Sequence, residues 1–317
     1  MATARESEVL TIAAIRTAGK QATEYLFNER ASVFTMTEQV AADAASARLL
    51  KVAFDKKQPV KVAVDTRRQL IQRIGDPSKR ELEELSRRPA LLEKPAKPVA
   101  IDLAKIDPTN FNFVDIHQKW PGFKLCTKPI PSYAKAVEIF DFCAQLSCSL
   151  PGPYAVAPCI PFQYVRDGCY ARAHQMRRII TTRYGYCCEK VFSFANQGVD
   201  RLAVRATKWG GCCVTWWYHV APLVRVRISI KTKPAISLTL AMVIDPGMFD
   251  KPVLLSTWLA AQQDTTCHPT ANLSMYSIQP GSAYWPANYA GTAFGTDPTY
   301  TQTEATLLAY SGLTTCP

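Results

Sequence analysis

Three residues far apart in this chain have the types needed for thiol chemistry: Cys169, His219 and Asp245. A cysteine acts as a nucleophile when a base lies within hydrogen-bond reach and a third group orients that base. Cys169 belongs to the stretch Asp167-Gly168-Cys169-Tyr170-Ala171-Arg172-Ala173-His174-Gln175-Met176-Arg177-Arg178. With Cys169 as origin, Ala173, Met176 and Ile180 fall at i+4, i+7 and i+11, so one apolar stripe of a helix runs back to the thiol. Asp167 reads as the N-cap. That places Cys169 at the positive end of a helix, where a thiol is acidified.

The chain holds four histidines. His117 falls in a proline-punctuated linker, and His268 precedes Pro269 in a loop-rich tail. His174 follows Cys169 by five residues on one helix, about 140° around the axis, so it points away from the thiol. His219 lies in the β-prone stretch Cys213 to Ala221 and is the remaining candidate base. Asp245 closes the apolar run Leu238 to Ile244 and precedes Pro246, which ends a strand. The order is nucleophile at a helix start, base on one strand, orienter at the end of the next. Papain-like and transglutaminase-like enzymes share it.

The elements around these residues divide the chain in two. Residues 1–128 hold 22 Lys+Arg and 16 Asp+Glu, whereas residues 129–317 hold 15 and 10. Of the 11 cysteines only Cys126 lies in the first part. The net charge of +11 comes from basic residues interspersed with acidic ones, with no nucleic-acid-binding signature. No run of eighteen apolar residues exists, and Met1 to Arg16 carries no apolar leader. Residues 1–128 are expected to form a small α+β module followed by a Pro-rich linker at about 89–128, with a second, cysteine-rich domain over 129–317. In the first part, Ser7 to Phe27 and Glu38 to Phe54 are alanine-rich and expected to be helical, while Ala31 to Thr37 and Pro59 to Val64 read as strands. Asp76-Pro77-Ser78 should cap a short charged helix.

Cysteine density in the second part implies an oxidising compartment and a disulfide framework. The spacings are not paired CxxC knuckles, and no metal or other cofactor is expected. Setting Cys169 aside leaves ten cysteines, enough for five bridges. The candidates are Cys143, Cys148, Cys159, Cys187, Cys188, Cys212, Cys213, Cys267 and Cys316, together with Cys126.

Four motifs in order, Asp167 to His174, then Gly185-Tyr186-Cys187-Cys188-Glu189-Lys190, then Cys212-Cys213-Val214 with Tyr218-His219-Val220-Ala221, then Ile244-Asp245-Pro246, resemble the bacterial protein glutaminases. The likeness is dense over about 159–250 and weaker beyond. Phe34 to Gln39 and Leu50 through Val60 loosely resemble that family's inhibitory pro-segment. Cys187 beside Cys188 departs from the pattern, where a single cysteine is expected.

The resemblance implies a papain/transglutaminase-like core, a helix packed on an antiparallel sheet. It implies a secreted zymogen that deamidates protein-bound glutamine, with Cys169, His219 and Asp245 as its triad. The implied partners are glutamine-bearing proteins, the chain's own pro-segment and an activating protease. On chemical grounds Glu38, which resembles the product, is the expected pro-segment contact with Cys169, with Thr37 and Gln39 as alternatives; Glu38 could equally just begin a helix. A transglutaminase, a papain-like protease or a non-enzymatic disulfide-stapled module would fit the same triad pattern.

Overall fold

The computed structural model describes residues 6–18, 22–86, 92, 99–100, 128–195, 198, 200–230 and 236–316. Most of the expected linker, with His117 and Cys126, lies outside them.

The N-terminal part is a closed five-stranded barrel in the order β1-β2-β3-β5-β4. Its strands are β1 (Glu6–Ala18), β2 (Ala22–Phe27), β3 (Val33–Met36), β4 (Pro59–Asp65) and β5 (Leu70–Gly75). Two helices, α1 (Glu38–Ala42) and α2 (Ala44–Asp55), connect β3 to β4, and α3 (Lys79–Ser86) follows β5. The helix expected over Ser7 to Phe27 is instead the antiparallel pair β1-β2. Alanine content argued for helix, but alternation decides. Leu10 and Ile12 point into the barrel with Phe27, Phe34 and Val62. Ala14, Leu26, Ala31 and Val33 leave it and join the core of the second part.

That second part is built on a six-stranded sheet in the order β12-β11-β10-β7-β13-β6. Its strands are β6 (Val99–Ala100), β7 (Glu189–Ala195), β10 (Tyr218–Ile230), β11 (Ile236–Val243), β12 (Val253–Leu254) and β13 (Leu273–Gln279). Two short ribbons accompany it, β8 (Leu202–Arg205) with β9 (Cys213–Trp216), and β14 (Ala283–Pro286) with β15 (Phe294–Thr296). The β stretch expected over Cys213 to Ala221 therefore breaks at Trp217, and its halves enter different sheets.

Helix α5 (Cys169–Thr182) packs across β10 and is nearly all buried to Ile180. Helices α4 (Tyr133–Ala144), α6 (Leu255–Ala260) and α7 (Thr301–Tyr310) surround it and the sheet. Trp258 and Trp285 are buried and anchor the loop-rich tail. No helix among the described residues is long and apolar enough to cross a membrane.

Bridges join Cys148 to Cys159, Cys212 to Cys316 and Cys213 to Cys267, and Cys187 is also disulfide-bonded. The vicinal Cys212 and Cys213 thus anchor two different tail segments to β9. Cys143 and Cys188, expected in bridges, are free thiols buried near each other between α4 and the start of β7.

Candidate active site

Cys169 is the first residue of α5, but Asp167 does not cap it. Gly168 occupies the cap position with φ of 74°, in the left-handed region that glycine adopts without strain. A Cβ there would stand 2.7 Å from the Tyr310 ring. This frees the Asp167 carboxylate for another task. Its Oδ1 accepts from the Ala31 N–H at 2.9 Å, and its Oδ2 accepts from the Tyr310 hydroxyl at 3.0 Å and pairs with Arg30 at 3.1 Å. Arg172, on the polar side of the helix stripe, is buried too, its guanidinium donating to the carbonyls of Tyr164 and Asp167.

The strand that faces Cys169 carries the base. His219 is the second residue of β10, and the Val220 N–H donates to the Cys169 sulfur. His219 Nε2 donates to Asp245 Oδ2 at 2.9 Å. Its Nδ1 is buried and unpartnered, the only ring nitrogen left to serve a thiol. Register explains the Asp245 contact. Leu223 pairs with Val243, and the Ile244 N–H reaches the Pro222 carbonyl, so Asp245 falls diagonal to His219 just past β11.

Two tryptophans fix the imidazole. Trp216 stacks on it at 4.5 Å and 10°, and Trp258 at 5.3 Å and 23°. Trp258 Nε1 also donates to Asp245 Oδ2 at 3.0 Å. Burial works against the Asp245 charge, but the bonds from His219 and Trp258 hold its carboxyl below the usual range. Sequence reasoning singled out neither indole for the site; Trp216, three residues before His219, was the available signal, whereas Trp258 lies 39 residues on and carried none.

His174 lies apart from this cluster, as its helical phase requires. Its Nε2 donates to the Asp297 carbonyl at 3.0 Å, and its Nδ1 accepts from the buried Lys190 amino group at 2.6 Å; burial lowers the Lys190 pKa well below the ordinary value. Burial above all keeps His174 neutral.

The barrel closes over the site through the β2–β3 connection, not through Thr37, Glu38 or Gln39. Thr37 caps α1, and Glu38 and Gln39 are exposed on it, so Glu38 does no more than begin a helix. The inserted residues are Arg30, Ala31 and Ser32. The Trp217 N–H donates to the Ala31 carbonyl at 3.1 Å and Trp217 Nε1 to the Arg30 carbonyl at 2.7 Å. Ser32 Oγ donates to the Arg166 carbonyl at 2.6 Å. Ala31 is wholly buried in the same apolar cluster as Cys169. A small side chain was the physical requirement, and nothing in its neighbours' composition marked it.

Under this cover Cys169 is only 1% exposed. Burial outweighs the helix end and pushes its thiol up to about 12. The thiolate fraction at pH 8 is then about 10⁻⁴, against about a quarter for an ordinary thiol near 8.5. Alkylation of Cys169 by iodoacetamide in the uncut chain should therefore be roughly 10³-fold slower than for an exposed cysteine. Because the raised group ionises only as the pH approaches its new value, the rate should climb tenfold per pH unit from 7 to 10 without levelling. A plateau near pH 8 would contradict the burial.

Among the described residues no group of three or more His, Cys, Asp or Glu side chains could hold a metal ion. Residues 136–262 match a protein family described as glutaminase. Over 98% of this chain and 94% of the other, the structure is similar to a crystal structure of pro-protein-glutaminase at 24% identity and a TM-score of 0.66. A crystal structure of protein-glutaminase is 33% identical over 59% of this chain and 91% of that one, with a TM-score of 0.49. An NMR structure of protein-glutaminase from Chryseobacterium proteolyticum is 34% identical over 59% and 92%, also with a TM-score of 0.49. No curated protein matches the chain.

Proposed function

We propose, for a chain that belongs to the glutaminase family through residues 136–262, that it deamidates glutamine side chains in intact proteins. The supporting observation is the His219 ring, bonded to Asp245 through Nε2 and left open at Nδ1, beside a thiol held by the next residue's N–H. The helix end bearing Cys169, with His219 on β10 and Asp245 just past β11, supports reading the core as papain/transglutaminase-like.

In the reaction Cys169 gives its proton to His219, and the thiolate attacks the carboxamide carbon. The oxyanion is met by first-turn amides of α5, the Cys169 N–H among them, which lack helical acceptors. His219 returns the proton to nitrogen, the C–N bond breaks and ammonia leaves a thioester. Water, deprotonated by His219, attacks the thioester and releases glutamate with the free thiol. No cofactor takes part.

Residues 1–128 act as the inhibitory pro-segment and 129–317 as the catalytic domain, with a protease cut in the linker lifting Ala31 out of the cleft. Seven disulfide-bonded cysteines among the described residues of the second part fit a secreted protein. Casein incubated with the chain before and after limited proteolysis decides the reaction. Ammonia and acidic product only after the cut are expected; high-mass crosslinks would instead indicate a transglutaminase, and backbone fragments a protease.

The Arg30 ion pair with Asp167 crosses from the barrel to the second part and holds the cover down, with Glu8 of the barrel's own β1 pairing with Arg30 from behind. Arg30→Glu places like charges together where burial is nearly complete, a cost of about 3 kcal/mol or more. The uncut variant should release ammonia on the order of a hundredfold faster than the uncut parent. An uncut variant as silent as the parent removes the support for this latch.

A further inference from the structure

The Arg30 side chain shows a second recognition element beside the thiol. Its Nη1 lies 3.1 Å from Asp167 Oδ2 and 3.4 Å from the Tyr170 hydroxyl, and its guanidinium carbon sits 5.3 Å above the Tyr310 ring centroid. The Tyr310 hydroxyl donates to the same carboxylate oxygen. Asp167, Tyr170 and Tyr310 are each at most 2% exposed and all belong to the second part of the chain. The main chain on both sides is clamped. Trp217 holds the carbonyls of Arg30 and Ala31, and Asp167 Oδ1 holds the Ala31 N–H.

We infer that the cleft contains a cation-accepting subsite, built from Asp167, Tyr170 and Tyr310, which receives an arginine side chain immediately preceding the reacting glutamine. This rests on the proposal that the β2–β3 connection lies where substrate lies, with Ala31 in the place of the glutamine. Removing the barrel takes away both Arg30 and Glu8 and leaves Asp167 with its clamping oxygen and no cation. Arg172 does not substitute, because its Nη1 is committed to the carbonyls of Tyr164 and Asp167. Burial alone raises the Asp167 carboxyl and Arg30 opposes this, so the site gains from a bound cation. A planar guanidinium satisfies both the carboxylate and the Tyr310 face, which an ammonium does less well.

The test uses the chain cut in its linker and freed of the barrel. A hexapeptide copying residues 28–33, Asn-Glu-Arg-Ala-Ser-Val, competes with iodoacetamide for Cys169, read by peptide mapping. Its twin carries citrulline for arginine, which keeps the shape and removes the charge. Blocked Arg-Gln-Ser and citrulline-Gln-Ser peptides are compared in parallel for ammonia release.

The arginine forms should protect and turn over about tenfold better, the scale of a charge-assisted bond to a carboxylate, with lysine between. Equal protection and equal turnover within twofold would overturn the subsite while leaving deamidation intact. Protection by the arginine peptide with no ammonia from either substrate would uphold the subsite and sink the deamidase reading.

Discussion

Cys169→Ala should reduce ammonia release from the activated chain to background, a loss of about 10⁴-fold or more. The argument is that no other thiol can take over. Among the described residues the free cysteines are Cys143, Cys169 and Cys188. Cys143 and Cys188 are buried beside each other, away from His219, and burial raises both thiols, Cys188 to about 12. Alanine keeps a small apolar side chain in the cluster around Tyr170, Ala173 and Val220, so the fold should survive with Tm within a few degrees. Cys169→Ser should be nearly as inactive, because a buried hydroxyl is not ionised by a neighbouring imidazole to a comparable extent. Parent and Cys169→Ala proteins are compared for ammonia from casein after the same proteolysis, with circular dichroism confirming the fold. Ammonia release within a hundredfold of the parent would end the thiol mechanism.

What could be read from sequence and what could not divides along physical lines. Cys169 and Asp245 stood out as candidates because each sits where a local rule bounds an element, a helix start and a proline-stopped strand end; His219 was reached by elimination among four histidines, since its stretch read as one unbroken strand. Register then brings His219 and Asp245 together, and register follows from short antiparallel connections. The β1-β2 pair was misread because alanine speaks for helix composition, whereas Leu10 and Ile12 share the barrel face of β1 and a register shift between Ile12 and Ala14 turns Ala14 to the other side. The cover over the cleft was misassigned for another reason. Glu38 was chosen for resemblance to a product, but the inserted residue had to be small, and Ala31 carries no chemical mark. Its contact with Asp167 spans 136 residues of sequence, a separation at which single-sequence patterns carry no information. Likewise, the odd cysteine count identified one thiol to set aside but could not show that Cys143 and Cys188 stay unbridged.

Asp245→Ala should cost about 10³-fold in ammonia release and also destabilise the fold, and the two effects can be separated. One carboxylate oxygen, Oδ2, receives both the His219 Nε2–H and the Trp258 Nε1–H. Alanine leaves both donors buried without an acceptor, about 1–3 kcal/mol each. For a domain of this size that lowers Tm by several degrees. Activity falls further because the imidazole is no longer held with Nδ1 toward the thiol, nor is its charged form balanced when it takes the Cys169 proton. Asp245→Asn distinguishes orientation from charge. Its amide oxygen can accept both donors in place, so Tm should recover most of the loss, while activity should recover only in part.

The charge has its own signature. Asp245 is held below the ordinary carboxylate value, so its contribution to stability is present above about pH 4 and disappears as the pH falls through its folded value. Asp245→Asn should therefore lose less stability than the parent between neutral pH and pH 3. Thermal melts across that range, beside ammonia assays at neutral pH, give both readouts. Full activity in Asp245→Ala would show that the two tryptophans alone position His219 and would remove Asp245 from the catalytic group.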